Sequence, residues 1–590
     1  MERLSPSAAG RPSPTAAIEP YGARDPSPLR DAEIQVQEED GPSDGSRLLA
    51  CLQVWAQHRD GRVRLHYRMR SSGSPGPLPD AAQLHERLQD LAPPLPAAWH
   101  EALLQGWPLP LHGLHRIELV PGAVWVSIAI GLKPSLQRRL DAQWRARPQA
   151  RPNLAGPAAA NPRHASPPRP LPRSESHAEE QKTAVIVGAG LAGCAMADAL
   201  ARRGWRVTVL ERSERIGGAV AGIPLLAQHP ALSPGEDRRS RLLVAALLAS
   251  RRLAGRLGDA MHWCGRFQPM PLAEARMRTA GVPPSIAQPV GHSDPGVHGV
   301  EGWQGIWYPG CAMAHPQRWW QRLLQDPAVE LHLSRSVAAV RGSGGRWQAL
   351  GHDGEVIASA AVLILANQAQ AFALAELPDA ARGRLRHSWI QVAVGTAAED
   401  GAKEGLKNEA ELAERGAVSR PRILGGSRYL LEDPGRHCVI GPLRPGEDRA
   451  RAHLQLDGTA DITPPGLTTD DAAYRWQLSE PAERLLLRDN LPMIGAAPDA
   501  AAIMASARQY ARNDRLPLPR RQSLHLLTGL GGRGLLWSVL GAEMIAAAVN
   551  REPPVVEPDL QDAVDPARFL RRSLRRAAAG QAEGTKLLSS

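Results

Sequence analysis

Three glycines and one acidic residue have the types and the spacing of a dinucleotide-binding site. Gly188, Gly190 and Gly193 form a G-x-G-x-x-G pattern, and Glu211 follows the last of them at a distance typical of such sites. The first glycine permits a tight turn, the second lets the backbone approach a pyrophosphate, and the third lets a helix pack closely on a strand. A carboxylate at this distance can accept hydrogen bonds from ribose hydroxyls, so the pattern predicts bound nucleotide.

The residues around the glycines predict the elements that would hold them. Residues 185–187 are a short β-branched run typical of a buried parallel strand, and residues 207–210 predict a second strand before the acid. Alanines and leucines at helical spacing over 191–201 predict a helix, which would direct its N–H groups and positive dipole end at phosphates. This order predicts a Rossmann-type βαβ unit. The alternative is a glycine-rich turn in an unrelated α/β domain.

Later segments favour FAD as the dinucleotide. An arginine and a glycine pair soon after the acid resemble FAD-dependent oxidoreductases more than NAD dehydrogenases, and residues 362–367 read as an apolar strand ending in a polar residue. Residues 526–534 are a strand and glycine loop leading into the helical run 535–550. This segment resembles one in FAD amine oxidases, whose helix points its N-terminus at the flavin and stabilises negative charge on it. With the first loop, the predicted cofactor contacts are Gly188, Ala189, Gly190, Gly193, Glu211, Arg212, Gly217, Gly218, Asn367, Gly529, Gly531, Gly532, Gly534 and Leu535.

Length and composition predict a large cytoplasmic protein. A chain of 590 residues predicts two or three domains, and 43% hydrophobic residues suit a globular protein. No uninterrupted run of apolar residues is long enough to predict a membrane span, and the first residues show no apolar signal core. Five scattered cysteines suggest neither a disulfide framework nor a metal site.

The charge balance is compatible with a nucleic-acid partner. The formal net charge is +10 and the isoelectric point is about 9.8, which suits phosphate neutralisation on RNA. The alternative is a compositional bias, because the basic residues are nearly all arginine and a GC-rich genome favours Arg, Ala, Gly and Pro together.

Composition shifts along the chain predict its organisation. Pro, Ser and charge dominate the start, and Ala, Pro and Arg dominate a segment before the first glycine loop. A polar insert is expected at about 398–420. The predicted segments are a disordered stretch at 1–45, a small globular module at 46–145, a linker at 146–182, the large α/β body at 183–572 and a frayed tail at 573–590.

Further motifs carry a resemblance to a known family. Together with the first glycine loop, they are residues 230–233, 240–242, 305–310, 488–495, 528–535 and 560–570. In this order they resemble the FAD-dependent oxidoreductase half of the MnmC family, the bifunctional tRNA 5-methylaminomethyl-2-thiouridine biosynthesis proteins. That half is similar to glycine oxidase and other D-amino-acid-oxidase-like enzymes. The resemblance implies an FAD-binding domain with an inserted mixed α+β substrate domain.

The resemblance also implies a reaction. The substrate would be tRNA whose wobble uridine bears a 5-carboxymethylaminomethyl group, with or without 2-thiolation. Oxidation at the glycine-like CH₂ of this CH–NH group, followed by hydrolysis of the imine, would leave 5-aminomethyluridine and glyoxylate. A free amino-acid oxidase of the glycine-oxidase type is the first alternative, and an inactive RNA-binding remnant is the second.

Two arginines are the candidate catalytic residues. Aligned on the glycine-oxidase pattern, Arg484 falls at the arginine that binds the substrate carboxylate, for which a guanidinium fork is suited. Arg533 could assist it, neutralise reduced flavin or bond backbone carbonyls. Val337 is expected to contact adenine through its backbone. His229 could line the site or simply be packed or exposed, and the pair Trp319–Trp320 could stack on bases or belong to the core.

The module at 46–145 resembles a remnant of the family's other half, an S-adenosylmethionine-dependent methyltransferase. The family has a glycine-rich G-F-G-x-G loop before the first helix of this half. Here the place reads Gly41-Pro-Ser-Asp-Gly45, so Ser43 replaces the central glycine and Pro42 removes a backbone donor. The acid expected after the next strand and the D-G-F-A-P segment are also missing. We therefore expect methyl transfer to be absent or impaired, and the FAD site to be the one intact cofactor site.

Overall fold

The computed structural model describes the larger part of the chain. The described residues are 33–37, 46–57, 64–71, 81–91, 94–106, 113–120, 123–145, 182–235, 237–291, 304–383, 385–397, 423–425, 429–433, 436–442, 474–478, 482–513 and 516–587. The altered loop at 41–45, nearly all of the predicted linker and the predicted insert at 398–420 lie outside these residues.

The N-terminal module is a four-stranded sheet with helices on it. Its elements are β1 (Glu33–Gln37), α1 (Ser46–Gln57), β2 (Arg64–Ser71), α2 (Ala81–Gln89), α3 (Ala97–Gly106), β3 (Gly113–Val120), β4 (Val124–Ile130) and α4 (Pro134–Arg145). The strand order is β1-β2-β4-β3, with β1, β2 and β4 parallel and β3 antiparallel to β4. A helical apolar spacing at residues 48–55 and strand patterns at 62–67, 114–119 and 123–130 predict one helix and three strands, and α1, β2, β3 and β4 confirm them.

The central strand of the module is buried on both faces. Every residue of β4 is buried, as the apolar sequence Val-Trp-Val-Ser-Ile-Ala-Ile demands. Leu48 and Leu52 of α1 pack on one face with Trp99, and Leu140 and Trp144 of α4 cover the other. The module therefore has its own core without the residues of the altered loop.

The strands and helices of the body are numbered on from those of the module. The strands are β5 (Thr183–Val187), β6 (Arg206–Leu210), β7 (Leu226–Ala227), β8 (Met261–His262), β9 (Arg266–Pro269), β10 (Gln288–Val290), β11 (Gly305–Tyr308), β12 (Met313–Ala314), β13 (Val329–His332), β14 (Ala339–Ser343), β15 (Arg346–Leu350), β16 (Val356–Ala360), β17 (Val362–Leu365), β18 (Leu385–Ala397), β19 (Ile423–Gly425), β20 (Tyr429–Asp433), β21 (Arg436–Pro442), β22 (Tyr474–Leu478), β23 (Ala482–Leu487), β24 (Met493–Pro498) and β25 (Arg520–Thr528). The helices are α5 (Leu191–Ala201), α6 (Arg238–Arg251), α7 (Ala254–Leu257), α8 (Leu272–Thr279), α9 (Pro316–Leu324), α10 (Gln370–Leu374), α11 (Asp379–Arg382), α12 (Ala500–Ala505), α13 (Ala507–Arg512), α14 (Gly534–Val549), α15 (Pro558–Val564) and α16 (Arg568–Leu587).

A six-stranded sheet organises the body. Its order is β13-β6-β5-β17-β25-β24, and the strands are parallel except β24. β5, α5 and β6 are the predicted βαβ unit, and β25, the glycine loop and α14 are the predicted second strand–loop–helix unit. Both units are confirmed. Their loops lie at the carboxyl ends of β5 and β25, the two strands on either side of β17, where ligands of such sheets bind.

A second, mostly antiparallel sheet lies beside the first. Its order is β10-β11-β9-β19-β20-β21-β18-β22, and β23 also pairs with β18. β23 leads directly into β24 of the first sheet. This connection lets a residue of β23 be positioned by both sheets.

Two segments differ from the sequence-based expectation. Residues 33–37, inside the stretch predicted to be disordered, form β1 because they pair in register with β2. The tail predicted to fray after Arg572 continues as α16 to Leu587. Leu570 and Leu574, four positions apart, lie on one face of that helix and are buried against the core. Neither element is evident from local composition, because β1 depends on its pairing with β2 and α16 on its packing against the core.

One helix has the length and apolar composition of a membrane span. It covers Gly531–Val549, and 61% of its most apolar window is buried inside the protein. Most of α14 is packed against the rest of the body, including Leu536, Trp537 and Leu540. Its apolar character therefore follows from its place in the core.

Candidate active site

The first glycine turn depends on two close backbone contacts. Gly188 has a φ of +104°, and a Cβ atom there would lie 2.9 Å from the carbonyl oxygen of Ala366, just after β17. A Cβ atom at Gly193 would lie 1.8 Å from the carbonyl oxygen of Gly188. The turn is therefore packed between the start of α5 and the end of β17. A side chain at Gly193 would push the start of α5 away from the turn.

The start of α5 is left open to a ligand. Gly190 precedes the helix and provides no side-chain cap for its first N–H groups. A Cβ atom at Gly190 would meet nothing closer than the carbonyl oxygen of Gly217, at 3.9 Å. Such a helix end, with its backbone exposed and its dipole positive, is suited to a phosphate.

The predicted glycine pair lies against the first turn. The Gly217 N–H donates to the carbonyl of Ala189 at 3.0 Å. Gly217 has a φ of +112°, and a Cβ atom there would lie 2.1 Å from the indole ring of Trp320. Gly218 begins a 3₁₀ turn, Gly218–Val220. The pair thus closes over the glycine turn because it lacks side chains.

Glu211 shapes the loop as well as facing it. Its carboxylate accepts from the Ala189 N–H at 2.7 Å and from the Ser213 N–H at 3.0 Å. These bonds occupy one lone pair on each oxygen and leave others for ribose hydroxyls. Arg335 N–H donates to the Glu211 carbonyl at 2.8 Å, which brings the segment carrying half-buried Val337 alongside. Arg212 is exposed at the edge of this group.

Asn367 offers a polar atom where a cofactor would lie. It follows β17, and a Cβ atom at Gly188 would come within 3.2 Å of its Cα. Its Oδ1 is buried without a hydrogen-bond partner among the described residues. A buried orphan acceptor costs free energy, which a bound donor would recover. With the open end of α5, this atom makes the residues present fit a dinucleotide.

The second glycine loop joins the start of α5 to β23. A Cβ atom at Gly534 would lie 2.6 Å from Leu191 Cδ1, and one at Gly529 would lie 2.8 Å from Leu487 Cδ1. Gly531 has a φ of +56° and Gly532 follows it in a 3₁₀ turn. Leu535, the next residue of α14, is buried. The predicted flavin end therefore lies next to the predicted pyrophosphate end.

Both candidate catalytic arginines meet at this loop. Arg484 lies on β23, and its Nη1 would be 2.7 Å from a Cβ atom at Gly532. Arg533 Nε donates to the carbonyl of His229 at 3.3 Å, and the His229 ring bonds the Gly532 carbonyl. The structure thus brings Arg484, Arg533 and His229 together. Their binding and catalytic roles stay predictions.

A third guanidinium was missed by the sequence analysis. Arg266 on β9 is buried, donates to the Pro230 carbonyl at 2.8 Å and lies 5.3 Å from the centre of the Tyr308 ring. Arg533 and Arg266 therefore hold the carbonyls of the consecutive residues His229 and Pro230. In a chain with 70 lysines and arginines, no local pattern distinguishes Arg266 from a surface residue.

Burial and these cations keep His229 neutral. Burial lowers its pKa well below the usual value, and repulsion from Arg533, Arg266 and Arg484 lowers it further, while the bond to Gly532 opposes the shift. The site therefore combines positive guanidinium groups with an uncharged imidazole. That combination suits an anionic substrate better than a cationic one.

Other residues considered from the sequence are part of the core. Trp319 and Trp320 are buried, which excludes free stacking on a base and confirms the core interpretation. Cys311 is buried, and burial raises the pKa of its thiol to about 12, so it stays protonated. Among the described residues, no three His, Cys, Asp or Glu side chains cluster as metal ligands.

The chain is similar to known flavoproteins. Residues 183–548 match the FAD dependent oxidoreductase family. The tRNA 5-methylaminomethyl-2-thiouridine biosynthesis bifunctional protein MnmC of Burkholderia orbicola is 30% identical over 608 residues, covering 90% of this chain and 89% of that protein. The MnmC protein of Cupriavidus necator is 30% identical, covering 91% and 90%. Glycine oxidase from Geobacillus kaustophilus is 16% identical, covers 65% of this chain and 98% of its own, and has a TM-score of 0.49.

Substitution of Gly193 by alanine should abolish tight FAD binding. The added methyl group would lie 1.8 Å from a backbone oxygen that cannot move aside without opening the turn. Overpacking of this kind costs about 1–3 kcal/mol of stability. Flavin content after purification and FAD titration by fluorescence measure the effect. Gly222→Ala is the matched control, since a Cβ atom there meets nothing within 4 Å; FAD bound equally well by both variants would contradict the role of Gly193.

Neutral His229 should make stability depend on pH. Its folded-state pKa lies below the unfolded value of about 6.5, so the unfolded chain takes up the proton first as pH falls. The free energy of unfolding is therefore highest above about pH 6.5 and falls below it, by up to about 1.4 kcal/mol per pH unit. Urea unfolding of the wild type and of His229→Gln, from about pH 8 to about pH 5, measures this contribution. A shallower slope is expected for the variant, and parallel curves would show that His229 contributes nothing.

Proposed function

Because the chain belongs to the FAD dependent oxidoreductase family and, within it, to the MnmC proteins, we propose that it oxidises the carboxymethylaminomethyl side chain of wobble uridine in tRNA. The product is the 5-aminomethyl nucleoside, with or without 2-thiolation, and the carboxymethyl group leaves as glyoxylate. We place this reaction in the cytoplasm, where tRNA is modified.

The single observation that carries the proposal is the meeting of Arg484 and Arg533 at the second glycine loop. The carboxymethyl group ends in a carboxylate, for which a guanidinium is the strongest partner in proteins. Arg484 lies against Gly532, and Arg533 is the next residue along the chain. A carboxylate held here would have its neighbouring CH₂ next to the start of α14, where the cofactor's reactive ring is expected.

The chain's own residues bind and orient both partners of the reaction. FAD, when bound, supplies the acceptor for the hydride that leaves the substrate CH₂. The open start of α5 would hold the pyrophosphate end, Asn367 Oδ1 would accept from a donor group of the cofactor, and the start of α14 would face the ring. Glu211 keeps the first loop in shape through the Ala189 N–H. Uncharged His229 places no acidic proton near the substrate amine, which must be unprotonated for a hydride to leave the neighbouring CH₂.

The N-terminal module is proposed to be a methyltransferase-like remnant without methyl transfer. Its sheet is mostly parallel with helices around it, as that class requires, but the sequence places Pro42 and Ser43 where a cofactor loop needs glycine. The pathway step that adds a methyl group would then fall to another protein or be lost.

A free amino-acid oxidase is the second candidate, because the carboxylate site would serve glycine or sarcosine equally well. It shares the flavin and Arg484 and differs in needing no RNA. The 30% identity to a protein of tRNA 5-methylaminomethyl-2-thiouridine biosynthesis favours tRNA over a small amino acid as the substrate, and the net charge of +10 is compatible with it.

Substitution of Arg484 by alanine should raise KM about 10–100-fold, because a charge-assisted contact to the carboxylate is worth about 1.5–3 kcal/mol. Flavin content should stay at the wild-type level. Arg386→Ala on the neighbouring strand, where the side chain is exposed and bonded to Asn490, is the control. Loss of flavin in Arg484→Ala would mean that the residue holds the structure instead of the substrate.

Nucleoside mass spectrometry tests the reaction and the missing methylation together. Purified protein is incubated with tRNA bearing 5-carboxymethylaminomethyluridine, with and without S-adenosylmethionine, and in parallel with glycine, sarcosine and D-alanine. We expect 5-aminomethyluridine in both tRNA samples and no 5-methylaminomethyluridine. Methylated product would disprove the proposal that the N-terminal module lacks methyl transfer. Turnover of free amino acids without turnover of tRNA would favour the second candidate.

A further inference from the structure

The N-terminal module is joined to the body by a buried cluster of ion pairs. Arg116 and Glu118 come from β3 of the module, and Arg203, Glu543 and Glu552 come from the body. The side chains of Arg203 and Glu552 are 0% exposed and that of Arg116 is 3% exposed. Charges this deeply buried are rare in protein structures unless they are paired.

Arg203 is the centre of the cluster. Its Nε donates to Glu552 Oε1 at 2.6 Å, and its Nη2 contacts Glu118 Oε1 at 3.1 Å and Glu543 Oε2 at 2.9 Å. The opposite charges around it raise the pKa of Arg203 although burial alone would lower it. Arg203 is therefore bound by carboxylates from the module and from the body at once.

The module completes the cluster with one charge of each sign. Arg116 Nη2 donates to Glu552 Oε2 at 2.6 Å, so Glu552 is held between Arg116 and Arg203. Arg252 of the body donates to the Arg116 carbonyl, and Arg64 Nη1 of the module donates to the Asn550 carbonyl at 2.8 Å. These contacts leave the module little freedom to detach without exposing buried charge.

The cluster lies at the far ends of the two helices that face the cofactor. Arg202 and Arg203 directly follow α5, Glu543 lies in the second half of α14, and Glu552 lies just after α14. Arg202 bonds Glu543, which ties the two ends to each other. The same helices also touch at their starts, through Leu191 and Gly534. Both helices are thus fixed to each other at both ends.

We propose that the N-terminal module serves as a brace for the cofactor site: through Arg116 and Glu118 it fixes the carboxyl ends of α5 and α14, and so holds the starts of both helices in position for FAD. This role needs neither methyl transfer nor any particular substrate, so it stands apart from the proposed function. It gives residues 46–145 a purpose in a chain whose methyltransferase loop is altered.

The position of the module's charges explains how it would act at a distance. Without Arg116, Glu552 loses one of the two guanidiniums that bind it among the described residues. A buried carboxylate with less compensation draws in water or moves, and Arg203 moves with it. Because a helix is a stiff element, a shift at the end of α5 is passed to its start at Gly190.

The test measures FAD binding by the full-length protein when the cluster is broken. Arg116→Met removes the charge and keeps much of the side-chain length, and we expect it to raise the Kd for FAD about tenfold. Hydrogen exchange should quicken in the last turns of α5 and α14. Arg116→Lys, which keeps the charge, should lie near the wild type.

The matched control is Arg139→Met, the same substitution at the same junction. Arg139 pairs with Asp562 across the junction, but the two side chains are 48% and 60% exposed, so we expect no change in FAD binding. Lower thermal stability of Arg116→Met with an unchanged Kd for FAD would overturn the proposal. An equal loss of FAD binding in Arg139→Met would overturn it too.

A measurement on the wild type covers the case in which Arg116→Met does not fold. Coupling between two sites is reciprocal. If the contact between module and body strengthens FAD binding, FAD binding must also stabilise that contact. Saturating FAD should slow hydrogen exchange in β3 at Arg116 as well as in α5. If FAD slows hydrogen exchange in α5 but leaves the exchange rate in β3 unchanged, the module and the cofactor site are uncoupled.

Discussion

The body of this protein is arranged around one close contact between two stretches of backbone. The carbonyl of Gly188 lies so near to Gly193 that no side chain fits between them. That contact presses the start of α5 onto the end of β5 and leaves the first N–H groups of the helix facing outward. The glycine pair, Asn367 and the second glycine loop all lie around this one helix start. A bulkier residue at Gly193 would displace each of them.

Much of this arrangement could be predicted from the sequence, because it rests on local patterns. Glycine spacing, β-branched runs and helical periodicity placed β5, α5, β6 and the loop before α14. Residue spacing predicts that Glu211 lies beside the first loop, but it does not predict the bonds of Glu211 to the Ala189 and Ser213 N–H groups. A carboxylate's choice between backbone and ligand depends on loop geometry, which residue spacing does not contain.

The features that escaped prediction depend on contacts between distant residues. Arg266 and Arg203 are buried arginines, and each looks in the sequence like many surface arginines. What distinguishes them is their partners: Arg266 contacts Pro230, 36 positions away, and Arg203 contacts Glu552, 349 positions away. The same reason explains β1 and α16, whose stability comes from β2 and from the core instead of from their own composition.

The last helix has a consequence for the order in which the protein can be completed. Arg568, at the start of α16, donates to the Asp489 carboxylate and to the Leu491 carbonyl, at the turn between β23 and β24. β23 carries Arg484, so the strand with the candidate substrate arginine is secured by a residue of α16, which comes much later in the sequence. During synthesis, the ribosome must release the chain beyond Arg568 before this turn is fastened. The site is therefore finished late, after both glycine loops have already emerged.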